Sequence, residues 1–151
     1  MLTTVPVREG LQPAWLDRLI AATVALCAIG CTWLLLKVSP DSKGYDTHTQ
    51  LGMEPCSWPV SMGIPCPTCG ATTAACYLVH GRPWSALVTQ PFGATVALLG
   101  LIAGATALYC LVRGRSFLQL WAWVSMARVV VYGGVLLLAS WLYKYLTFAS
   151  P

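Results

Sequence analysis

The sequence predicts an all-α integral membrane protein, with three transmembrane helices and a short interfacial or re-entrant helix after a Cys-Pro-x-Cys-Gly turn. Three observations carry this. Hydrophobic residues make up 57% of the chain and charged residues 9%, against roughly 25% charged in a soluble domain. Three apolar stretches each reach the ~20 residues that a bilayer core demands. Seven Trp and six Tyr supply the amphipathic rings that settle at two lipid–water interfaces. The length suits one membrane domain over residues 1–151.

The first span is expected over 15–37. No charge occurs from Leu19 to Leu36, and Asp17 and Arg18 fall in the opening turns. Ala28-Ile29-Gly30-Cys31 resembles a lipoprotein cleavage box, but the apolar run continues through Trp33-Leu34-Leu35-Leu36, so the segment reads as a retained anchor. Residues 38–65 form a loop. Pro40, Gly44, Pro55, Pro59 and Pro65 prevent a long helix there, while Cys56, Trp58 and Met62 suggest that the loop packs. Residues 67–80 read as a short helix, with Pro67 in its first turn and Gly81 and Pro83 beyond its end. The second span, 91–112, opens on Pro91 and carries Gly93, Ala97, Gly100 and Gly104 on one face. Gly100-xxx-Gly104 is the small-residue spacing that lets another helix approach, from within the chain or from another subunit. After the basic turn Arg113-Gly114-Arg115, residues 116–147 read as helix.

Arg128 is the difficulty in that last stretch. Were the membrane to begin at Phe117, Arg128 would stand ~16 Å along the axis, where a charge is costly. The expected solution places Phe117–Ala127 partly at the interface, with Trp121 and Trp123 in the aromatic belt, span three at 126–146, and Lys144 snorkelling at its far end. The alternative points Arg128 into a bundle or a partner interface. Three spans put the N-terminus and Arg113-Gly114-Arg115 on one side. That side also holds Arg8 and Arg18, so the basic bias favours a cytoplasmic N-terminus and an exoplasmic Cys loop.

Three cysteines (Cys27, Cys31 and Cys110) lie in apolar runs and read as small buried hydrophobes. The others frame the chemistry. Cys66-Pro67-Thr68-Cys69-Gly70 can hold a metal such as zinc or iron, with His48 and Cys56 completing a tetrahedral set. It can form a structural disulfide with Cys56 in an oxidising compartment. It can also act as a redox dithiol, its thiol pKa lowered by the start of a helix. The staple is the first expectation, because exoplasmic cysteine pairs most often pin a fold. Cys76 and Cys69 would stand ~10 Å apart along one helix and so cannot share an ion. His80 sits at a helix end, where a cation complements the dipole, and Gly81 marks the stop.

The run Cys56…Gly63-x-x-Cys66-Pro67-x-Cys69-Gly70-x-Thr72…His80-Gly81…Ala86…Pro91 resembles a family of small bacterial membrane proteins known only as a domain of unknown function. That family carries Cys-Pro-x-Cys-Gly-x-Thr-Arg, then His-Gly, then Asn-Pro. The resemblance covers roughly residues 52–100. It departs at Thr73, where Arg is usual, and at Gln90, where Asn is usual. It implies a bacterial inner-membrane protein and no particular activity.

No basic cluster suggests nucleic acid. No phosphate-binding glycine loop, haem-attachment motif or serine–histidine–acid set is present, and no carboxylate pair within the spans offers a proton path. The expected role is an accessory subunit of a larger membrane complex rather than an enzyme, its partners being the lipid bilayer and other membrane subunits. The alternative is a membrane thiol–disulfide or metal-centred redox protein using Cys66 and Cys69, with Cys56 as relay.

Overall fold

The computed structural model describes residues 14–148, and among them all regular structure is helical. Three helices are long and apolar enough to cross a membrane: α1 (Ala14–Leu36), α5 (Pro91–Arg113) and α7 (Met126–Thr147). At 1.5 Å per residue each runs about 33–35 Å, enough for a hydrocarbon core of about 30 Å. The shorter helices are α2 (Ser57–Met62), α3 (Ala71–Val79), α4 (Pro83–Thr89) and α6 (Phe117–Trp121), with a 3-10 turn over Thr47–Leu51.

Helix ends follow local chemistry. Pro91 opens α5, where its missing N–H leaves no bond unmade, and Gly114 closes it in the left-handed region at φ 64°. The expected helix from 116 to 147 is broken. α6 ends at Trp121, and a turn through Ala122–Ser125 leads into α7.

α1 and α5 pack through small side chains. Ala21, Ala25, Ala107 and Cys110 are buried together, with Phe117 of α6 closing the cluster. Gly104 marks the tightest approach: a Cβ there would overlap Ala28 Cβ. Small residues serve here because lipid tails are as apolar as leucine, and only close backbone approach adds contact energy. The face expected at Gly93, Ala97, Gly100 and Gly104 is not one continuous contact. Gly93 lies against Ala71 of α3, where an added Cβ would stand 2.5 Å from Ala71 Cα, whereas nothing lies within 4 Å of a Cβ at Gly100. α3 packs against both α1 and α5.

α6 is fastened by a residue from the other end of the sequence. Asp17 in α1 is buried. Its Oδ1 accepts from Ser116 Oγ at 3.1 Å and Leu118 N at 2.9 Å, and its Oδ2 accepts from Phe117 N at 3.1 Å. The first N–H groups of a helix have no partner of their own, and a carboxylate satisfies them with charge-assisted bonds. Trp121 Nε1 then donates to Thr106 Oγ1 of α5 at 3.2 Å, so α6 turns back alongside α5.

Gly104→Leu should lower the melting temperature of the detergent-solubilised protein by forcing α1 and α5 apart, and Gly100→Leu should leave it unchanged. A Gly104→Leu protein that melts like the wild type would place the crossing elsewhere.

Candidate functional site

The residues singled out by the sequence converge where the loop after α1 meets the end of α7. The loop is built from short local bonds. Asp41 Oδ1 accepts from Lys43 N at 2.8 Å, and Gly44 N donates to Asp41 O at 3.0 Å. Gln50 exchanges two bonds with the Ser39 backbone. Thr47 is fully buried; its Oγ1 accepts from Asp41 N at 3.0 Å and lies 2.8 Å from Thr73 Oγ1 of α3. The residue at the first departure from the family pattern, Thr73, thus ties α3 to the loop.

The Cys66–Gly70 segment is a turn, not the first turn of a helix. Cys69 N donates to Cys66 O and Ala71 N to Thr68 O, each at 2.9 Å. Gly70 takes φ 87°, and α3 starts only at Ala71. The short helix expected over 67–80 is therefore Ala71–Val79, because a left-handed residue interrupts the helical path. Gly70 is also pressed against the loop: a Cβ there would stand 2.5 Å from Gly44 O.

α7 gathers this region from the far side. Trp141 Nε1 donates to Pro65 O at 3.0 Å, and Tyr143 Oη donates to Val88 O at 2.8 Å. Ser140 Oγ accepts from Phe92 N at 3.0 Å. Lys144, expected to snorkel, is instead 8% exposed. Its ammonium donates to Gly44 O at 3.1 Å and Thr89 O at 3.4 Å. Gln90, the second departure from the family pattern, is fully buried. Its Oε1 accepts from Gly93 N, capping α5, and its Nε2 donates to Pro67 O at 3.3 Å. Asn is a preferred cap; the longer Gln caps and also reaches the cysteine turn.

The thiols lie close enough to influence one another. Burial is the largest cause pushing the Cys56 thiol up, and a hydrogen bond with the Cys66 thiol adds to it. Cys69 is 4% exposed, and its thiol is pushed up to about 12, first by burial and then by the neighbouring Cys66, with Lys144 pulling the other way. The helix-lowered pKa expected of a redox dithiol is absent at Cys69, because burial outweighs any helix-end field. His48 does not join the cysteines: its Nε2 lies 3.0 Å from Glu54 O. Among the described residues no three His, Cys, Asp or Glu side chains are grouped to hold a metal ion, so the set His48, Cys56, Cys66 and Cys69 is not assembled.

Cys76 is fully buried in α3. Its Sγ donates to Leu35 O at 3.5 Å and Val38 O at 3.4 Å, near the end of α1. Burial pushes this thiol up as well. His80 Nδ1 lies 2.9 Å from Cys76 O, and Gly81, at φ 72°, follows the helix end.

Residues 56–104 match the model of a family described as a protein of unknown function (DUF2752). The match begins at Cys56 and spans the cysteine turn, α3, α4 and the first half of α5, about a third of the chain. It agrees with the resemblance to an uncharacterised family drawn from the sequence. No curated protein and no solved structure matches the chain.

Lys144, Gln90, Thr47, Ser140 and Trp141 are absent from the sequence-derived site. Gln90 left a signal, a polar residue just before a helix-opening proline, and Lys144 left another, a charge near the end of an apolar run.

Gly70→Ala and Gly52→Ala separate backbone strain from contact. Both positions have positive φ, but Gly52 faces open space. Gly52→Ala should cost about 1–2 kcal/mol, the left-handed penalty alone, and Gly70→Ala clearly more, read as the difference in melting or expression level. Cys69 sets a pH dependence. Burial pushes its thiol from the usual 9.0 up to about 12 in the folded chain, so the stability it contributes is complete below pH 9 and is lost as pH rises through the folded value. Melting temperature should fall more steeply between pH 9 and 11 in the wild type than in Cys69→Ala.

Proposed function

We propose that the protein is an accessory, structural subunit of a larger membrane assembly, folded as one membrane domain, and not an enzyme. The observation that carries this is the state of Cys69: buried in the chain and held as a thiol far above the physiological range, it lacks the thiolate that nucleophilic or redox chemistry uses. The rest of the cluster is satisfied internally, since no buried side-chain nitrogen or oxygen among the described residues lacks a partner. Part of what the loop presents outward is apolar. Met53, Trp58, Val60 and Met62 are exposed on and beside α2, a surface suited to membrane or protein contact.

The same reading sets the protein in a bacterial inner membrane with a cytoplasmic N-terminus. Arg18, Arg113, Arg115 and Arg128 lie toward the α6 side, with Arg8 ahead of α1 in the sequence, against Lys37, Lys43, Arg82 and Lys144 toward the loop side. The side richer in Lys and Arg is the usual cytoplasmic one. The loop then faces an oxidising space, where Cys56 would pair with Cys66 as a staple.

A second reading, a membrane thiol–disulfide or metal-centred redox protein using Cys66 and Cys69, rests on the turn that carries those two cysteines, with Cys56 near enough to Cys66 to be influenced by it and so to act as the relay.

Cross-linking in native membranes, followed by mild solubilisation, should recover the chain in an assembly larger than itself. Cys66→Ser should lower its abundance or its recovery in that assembly without a thiol- or electron-transfer defect. Unchanged abundance with lost thiol transfer would replace this reading with the redox one, and a chain recovered only as a monomer would remove it.

A further inference from the structure

Away from the cysteine turn, α5 and α7 enclose a groove of about 680 Å³ that is open along its side. Its walls are apolar, among them Val96, Leu99, Gly133 and Leu137, and one charged residue, Arg128, lines it beside Trp123. Neither glycine on α7 has a neighbour within 4 Å of where a Cβ would stand.

The register places Arg128 deep. Ser140 meets Phe92 at the start of α5, and Arg128 lies about 18 Å back along α7 from that contact, while α5 runs about 34 Å. α6 makes up the difference by folding back, its Trp121 bonded to Thr106 well inside the end of α5. The part of α7 from Met126 to Ser140 thus spans about 21 Å, less than the ~30 Å hydrocarbon core. Such a shortfall is met by drawing headgroups inward or by snorkelling.

A guanidinium at that depth calls for an anion, and the described acids are elsewhere. Asp17 caps α6, and Asp41, Asp46 and Glu54 belong to the loop on the far side. Along the roughly 14 Å from Arg128 to Leu137 the groove offers one cation at one end and apolar walls beyond it. That pairing matches a ligand with an anionic head and hydrocarbon chains, and Trp123 stands where an indole meets the headgroup region.

We propose that the groove binds an anionic phospholipid, its phosphate on the Arg128 guanidinium and its acyl chains along Val96, Leu99, Gly133 and Leu137. Trp123 covers the mouth.

Native mass spectrometry of the full chain, after exchange into detergent with equal phosphatidylglycerol and phosphatidylethanolamine, tests this. The wild type should retain one phosphatidylglycerol in preference to phosphatidylethanolamine. Arg128→Gln should lower that occupancy about tenfold, the loss expected of one charge-assisted bond. Arg128→Lys should keep part of it, and Arg113→Gln, outside the groove, should keep all of it. Gly134→Leu, which fills the groove and leaves the charge, should expel the lipid at an unchanged melting temperature. Equal retention of the two lipids, an Arg128→Gln protein as occupied as the wild type, a Gly134→Leu protein still fully loaded, or a photo-cross-linker at position 128 that captures a protein helix instead of lipid would each overturn the proposal.

Discussion

A lysine ammonium is buried at the end of α7 with two backbone carbonyls, Gly44 O and Thr89 O, as its partners. Taking that charge out of water is costly unless it is hydrogen-bonded, and here the bonds come from two segments that otherwise have little reason to meet. The loop after α1 and the end of α4 are drawn onto one helix. Trp141 and Tyr143 repeat the device with neutral donors, to Pro65 O and Val88 O. Irregular backbone near a bilayer survives only where its polar groups are satisfied by protein. The last turns of α7 supply those donors, and the cysteine turn, the Gly70–Gly44 contact and the start of α5 are arranged around them.

This arrangement explains why a Cys-x-x-Cys turn ahead of a helix does not behave as a helix-activated dithiol. Activation needs a thiol at the open N-terminus of a helix with solvent or a cation beside it. Gly70 intervenes in the left-handed conformation, and Cys69 is turned into the packed interior. The neighbouring Lys144 favours a thiolate at Cys69, yet burial outweighs it. The turn is built to be held still, and its geometry serves the loop before it serves any chemistry at sulfur.

The spans were legible because hydropathy over twenty residues is a property of the local sequence, and Pro91 and Gly114 announce the ends of α5 locally. The start of α3 was misread because Pro67 and the alanines after Gly70 favour helix, while the conformation of Gly70 is imposed by the Gly44 carbonyl, twenty-six residues earlier. The small-residue face of α5 was half legible. Spacing put Gly93, Gly100 and Gly104 on one side, but which of them meets a neighbour depends on where α1 and α3 lie. Thr73 and Gln90 stood out only as departures from a pattern; their roles, a bond to Thr47 and a cap shared with Pro67, are long-range. Lys144 read as a snorkelling charge because nothing in the sequence says that a loop a hundred residues away will cover it.

The cap that Asp17 places on α6 has a bearing on how the chain is made. Its hydrogen bonds link residues about a hundred positions apart, and a five-residue helix has no stability of its own. As the polypeptide emerges from N- to C-terminus, the first span must therefore wait in the membrane, its carboxylate unpaired, until the segment after Arg115 has been synthesised. Closing so distant a contact is slow. During that interval Asp17 and its neighbour Arg18 are the charged features at the start of an otherwise apolar helix, and the carboxylate exchanges water for the α6 amides only when α6 docks.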